Sequence, residues 1–315
     1  ALSHIDRIRS EDPERFDLYG LVLAGIALAG IAFGLSVAGL NLLPWPIIAG
    51  LIAVGSISMT LYVVHARRTG SPVLDFSLLR LSTMRAAIIG GFLFRLGIGA
   101  LPFLLPLLMQ VGFGLSPFHS GRVTFSSAVG AMGMKTLAAR IIRTFGFRNL
   151  MTVNAVVSSV FLAACALFTI TTPLLLIFII LVVGGFFRSL QFTAINTVAY
   201  AEVEPAQISR ATTLVSVNQQ LAISAGVAVG AFTVESTMLV RHVSDHTASD
   251  FAPAFIVVSV ISAISAYFFW QMPDDAGHEI TGRKAVQISS RKGAASAATK
   301  AASEETQDAR DQRLG

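Results

Sequence analysis

The chain has 315 residues, 54% of them apolar and only 13% charged. Soluble globular proteins carry about 25% charged residues, so a soluble enzyme of this size is excluded and a membrane protein is expected. One cysteine, Cys165, excludes a disulfide framework and any multi-cysteine metal site.

Residues 1–17 are charged and lack the apolar stretch of a signal peptide. They read as a cytoplasmic loop, and the chain as the later part of something longer. A bilayer core needs about 20 predominantly apolar residues per helix. That ruler predicts eight spans near 18–40, 43–65, 87–110, 122–140, 150–170, 174–197, 213–238 and 252–271. The runs are apolar on every face, so a β-barrel, which alternates with period two, is excluded. The fourth span is the most polar, holding Arg122, Ser126, Ser127 and Lys135. A loop covers 66–86. The tail at 272–315 has almost no large apolar residues and is expected to be disordered, with a transient helix around 293–312.

Lys and Arg stay with cytoplasmic loops. With the eight spans alternating from a cytoplasmic start, nineteen of the 23 fall on the cytoplasmic side and only Arg122 and Arg241 outside. Both ends of the chain are therefore expected in the cytoplasm. The net charge of +5 reflects this bias and implies no nucleic-acid partner. Trp45 and Trp270 fall at span ends, where an amphipathic ring suits the interface.

No catalytic constellation is visible. The six histidines lie in loops or at span ends. His242 and His246 have the i,i+4 spacing of metal ligands, but a solvated loop is the plainer reading, and no metal or cofactor is expected. Cys165 has no local base and reads as packing. Outside loops and tail the only acidic residue is Glu235, a weak candidate proton carrier near the end of the seventh span.

The remaining two arginines, Arg95 and Arg188, lie inside the third and sixth spans. At about 1.5 Å per residue, each is roughly 12–14 Å deep. Arginine at that depth normally faces water or a bundle interior. In the third span Gly91, Arg95, Gly99, Pro102 and Pro106 follow at helical steps and form one stripe. Such a stripe fits a bent helix lining a pathway, or a close-packed interface with Arg95 reaching the headgroups. The sixth span adds Gln191 and Asn196. The seventh adds Asn218, Gln219 and Gln220, followed by Gly226 and Gly230, which suit close helix packing.

Three segments carry a resemblance: LPFLLPLLMQVGFGLSPFHSG (101–121), LAARIIRTFGFRNLM (137–151) and the run from Gly184 to Gly230. Over about 14–275 the chain resembles the later part of a fourteen-span drug:proton antiporter of the major facilitator superfamily. The resemblance implies an all-α membrane protein, in which two inserted helices (18–65) precede a six-helix C-terminal bundle (87–271). It implies a missing N-terminal six-helix bundle as partner, a small-molecule substrate, and export through the inner membrane by alternating access. The first and fourth helices of each bundle line the cavity in this family, here those bearing Arg95 and Arg188. The family's gating loop corresponds to Arg140, Arg143, Gly146 and Arg148, with Arg143 standing where the family often has an acid. The competing expectation is a non-transporting scaffold made of one bundle.

Overall fold

A computed structural model describes residues 17–38, 42–241, 247–273 and 276. The expected loop at 1–16, the pair His242 and His246, and nearly all of the expected tail lie outside the described residues. Among those described, all regular structure is helical. The long helices are α1 (Leu18–Ala38), α2 (Trp45–Ala66), α3 (Ser82–Gly99), α5 (Pro117–Phe145), α6 (Phe147–Ala164), α7 (Leu174–Val198), α8 (Ile208–Arg241) and α9 (Ala248–Trp270). The short α4 (Leu101–Leu107) and a π-helical turn at Leu108–Gly112 continue α3 after a break at Ala100. Pro102 and Pro106 sit in that continuation, where neither ring nitrogen can donate to the helix ladder.

Seven runs are long and apolar enough to cross a membrane: α1, α2, the α3–α4 run Ser82–Gly112, α6 with its following turn, α7, α8 and α9. The protein is a multi-pass membrane protein. The fourth expected span, α5, is a helix of 29 residues but is not among the seven. Arg122, Lys135, Arg140, Arg143 and its many small polar residues dilute its apolar content.

Helices α3, α5 and α9 begin several residues before the apolar stretches that announced them, and polar caps hold these extensions. Ser116 accepts from the His119 N–H at the start of α5. Ser82 and the Thr83 N–H both donate to the Glu202 carboxylate, which caps α3 from the α7–α8 connection. Thr247 and Asp250 form a reciprocal capping box at α9. Asp250 corrects one expectation: it belongs to the first turn of a helix, not a loop, and is fully buried.

In lipid no hydrophobic force draws one apolar helix to another, so close approach depends on small residues. A Cβ at Gly130 would stand 1.8 Å from the Val182 carbonyl oxygen, and one at Gly185 would stand 2.1 Å from that of Ser127. These two glycines bring α5 and α7 into backbone contact. Gly226 of α8 approaches the Leu96 carbonyl equally closely, and Gly97 of α3 meets Val258 and Ser262 of α9. The expectation that Gly226 and Gly230 serve packing is met, since both lie against the α3–α4 run.

The pair α1–α2 closes on itself through Gly30 and Gly55, then rests on α8. Its polar end is tied by Asp17, whose Oδ1 accepts from the Gly20 N–H at 2.8 Å and lies 2.8 Å from His65 Nε2. Burial alone would raise the Asp17 pKa, but the Gly20 bond and His65 hold it below the usual carboxylate value. Tyr62, fully buried, donates to the Leu74 carbonyl at 3.1 Å and so anchors the α2–α3 connection.

Candidate functional site: buried cations of the α3, α5 and α7 seam

Helix α3 carries Arg95 into the bundle with 0% of its surface exposed. Gly91, one turn earlier, leaves room beside it: a Cβ there would lie 3.2 Å from Arg95 Nη1. Arg95 Nη2 donates to Asn196 Oδ1 of α7 at 2.7 Å. The guanidinium carbon lies 5.6 Å from the centre of the Phe192 ring, in cation–π range. Its Nε and Nη1 are buried without a described hydrogen-bond acceptor.

Arg188 of α7 is also buried, and its Nη2 donates to Ser127 Oγ of α5 at 2.5 Å. The contact follows from packing, because Gly185 rests on the backbone of Ser127 itself. Beside Arg188 lies a cavity of about 270 Å³, lined by Leu101, Pro102, Leu105, Pro106, Thr124 and Ser127. Both guanidiniums thus have neutral partners, whereas ion pairs elsewhere include His65–Asp17, Arg210–Asp75 and Arg241–Asp250. An ion taken out of water without a countercharge costs on the order of several kcal/mol.

Pro102, Pro106 and Arg188, read from two separate spans, meet at this cavity. The stripe on the third span does not line it as a unit. Gly91 packs on Ile195 and Gly99 on the backbone of Ile223, so the stripe is shared between α7, α8 and the cavity. Gln191 turns toward α6: it accepts from Asn154 Nδ2 at 2.8 Å and donates to the Met151 carbonyl at 3.1 Å. Asn218 donates to the Ile88 carbonyl of α3, Gln219 is half-buried and Gln220 exposed. Glu235 is exposed on α8.

Arg140 and Arg143 lie exposed in the last turns of α5 rather than in a loop. The whole α5–α6 connection is Gly146, with φ 75° and ψ 163°, a region open almost only to glycine. Arg148 follows on α6; its Nε donates to the Trp270 carbonyl at 2.8 Å, and its guanidinium lies 5.8 Å from the Trp270 ring centre. Among the described residues no group of three His, Cys, Asp or Glu is placed to hold a metal ion.

Asn196 and Ser127 both stand out in the sequence, but their pairing with Arg95 and Arg188 does not. Ser127 was visible as a polar residue in an apolar setting, and its spacing of three from Gly130 marks one face of α5. Asp250 was visible as the last residue of a Thr-x-x-Asp capping pattern preceding an apolar run.

Residues 87–305 match the family described as Major Facilitator Superfamily. The chain belongs to the major facilitator superfamily. Its relatives include proteins of Escherichia coli K12, Escherichia coli O139:H28 and Shigella boydii serotype 18, each named "Putative multidrug resistance protein MdtD". Each is 31% identical over 278 residues, covering 84% of this chain and 57% of the relative. The chain therefore spans little more than half the length of the curated relatives it matches. Membership of this transporter superfamily points away from an enzyme.

Proposed function

We propose that the chain is the C-terminal part of a secondary active transporter that exports amphipathic small molecules from the cell, coupled to protons, by alternating access. The observation that carries this reading is the pair of buried cations with neutral partners, placed on α3 and α7 of a superfamily bundle. A fold pressed only for stability gains nothing from such groups, whereas a binding surface for a polar or charged cargo does. The multidrug resistance named for its relatives fits the apolar walls that flank Arg188.

In this reading α1 and α2 are the inserted pair, and α3 through α9 form a six-helix C-terminal bundle with α3 and α4 as one broken span and α5 as another. Eight crossings place both ends of the chain in the cytoplasm, within the inner membrane. An N-terminal six-helix bundle is the partner against which this one rocks. Arg95, Arg188, Pro102 and Pro106 then face or support the pathway, and the Arg140–Arg148 turn with Gly146 moves with the cytoplasmic gate. Glu235 is exposed and Asp250 is held by Arg241, so the proton carrier is assigned to the partner bundle.

Reconstitution tests the reading. Vesicles holding the protein at the full length of its relatives are expected to accumulate an amphipathic dye when a proton gradient is imposed. The 315-residue chain alone is expected to insert but not to transport. Uptake by the chain alone, or none by the full-length protein, would overturn the proposal.

A further inference from the structure

The cavity beside Arg188 also speaks to the kind of molecule that fits. We infer that it is a binding site for the anionic group of an amphipathic organic acid, a carboxylate or sulfonate carried on a small apolar body. The inference rests on the transporter reading for its biological role, but not for its chemistry.

Donors dominate the site. Arg188 Nη2 already donates to Ser127 Oγ, so the Ser127 hydroxyl is left with its own proton to give. A guanidinium and a hydroxyl side by side, with no carboxylate among the lining residues, present two converging donors to an acceptor. The Thr124 hydroxyl donates to the Ser120 and Gly121 carbonyls of its own helix, each at 3.1 Å. It would have to rotate to add a third donor. Around these groups Leu101, Pro102, Leu105 and Pro106 supply an apolar wall with no charge.

Charge selects in the same direction. Arg95 lies on the neighbouring α3–α7 contact, fully buried, with two N–H-bearing nitrogens lacking a described acceptor and Asn196 as its neutral partner. Two positive centres in a low-dielectric bundle repel a cationic cargo and draw an anionic one. A bound carboxylate would supply the countercharge that Arg188 lacks, so part of the cost of burying the arginine returns as affinity. The 270 Å³ cavity accommodates a single aromatic ring bearing a carboxylate.

Benzoate is the probe, with benzyltrimethylammonium as the cation of similar body. Binding of radiolabelled benzoate would be measured on the full-length protein in lipid nanodiscs. Saturable binding is expected, undiminished by excess benzyltrimethylammonium. Arg188→Met should weaken it at least tenfold, Arg188→Lys less, and Ser127→Ala a few-fold. Ser127→Ala also keeps the inference testable if Arg188→Met fails to fold. Absence of saturable binding, equal competition by the cation, or full affinity in Arg188→Met would each overturn the site. Dye export that persists without benzoate binding would reject this inference and leave the transporter reading intact; benzoate binding without any export would do the reverse.

Discussion

At the α8–α9 turn the Arg241 guanidinium meets the fully buried Asp250 carboxylate, with Thr247 and Ser249 hydroxyls alongside. In the α5–α7 seam Arg188, equally cationic and far more buried, meets a single serine hydroxyl. The first arrangement is closed: charge faces charge, and the same carboxylate also caps a helix. The second is open, with charge left over. A compensated cation strengthens its surroundings, while an uncompensated one weakens them and keeps the capacity to hold something else. The two regions should therefore respond to mutation in opposite senses.

The most damaging change should be one that destroys the open seam itself. Gly130→Leu would drive a side chain into the Val182 carbonyl and separate α5 from α7. A loss of about 4 kcal/mol or more is expected, read as absence of a cooperative thermal transition in detergent. Next comes the closed turn. Arg241→Leu leaves the Asp250 carboxylate buried without its cation and should cost about 2–3 kcal/mol, seen as a lowered Tm that Arg241→Lys largely restores.

The buried cations with neutral partners should then show the opposite sign. Arg95→Met replaces an uncompensated buried charge by an apolar chain of similar length, and stability should hold or rise by about 1–2 kcal/mol. Transport by the full-length protein should be lost in the same variant. A Tm that falls with Arg95→Met as it does with Arg241→Leu would erase the contrast between the regions. The smallest effect belongs to a further, half-buried cation, Arg148. Trp270→Ala removes the ring beside Arg148 but not the backbone carbonyl that Arg148 also uses. It should cost about 0.5–1 kcal/mol, a shift of a few degrees at most.

How much of this was legible beforehand depended on which interactions are local. The apolar runs announced all the crossing helices, because length and hydropathy are properties of a single segment. Arg95 and Arg188 stood out for the same reason. Their pairings did not, because Ser127 lies 61 positions from Arg188 and Asn196 lies 101 from Arg95. Which face of α3 meets α7 and which meets α8 depends on contacts at Gly91 and Gly99 that no single helix encodes. Gln191 shows the limit from the other side. Its position on the arginine face suggested a pathway role, yet Asn154 and Met151 hold it against α6.

Helix α5 carries one further consequence, concerning the order in which the protein is made. It is not among the seven runs long and apolar enough to cross a membrane, and its closest partner is α7. A ribosome completes α5 at Phe145 and begins α7 only at Leu174. For the interval in which α6 and its connection are synthesised, α5 has no glycine-lined surface to lie against. Its Arg188 partner Ser127 is likewise bare until that arginine emerges. In the eight-crossing arrangement proposed above, membrane entry of α5 becomes a delayed event, dependent on the insertion machinery retaining it until α7 arrives. Truncation of the nascent chain before residue 174 should leave α5 accessible to water-soluble reagents, and extension past residue 198 should protect it.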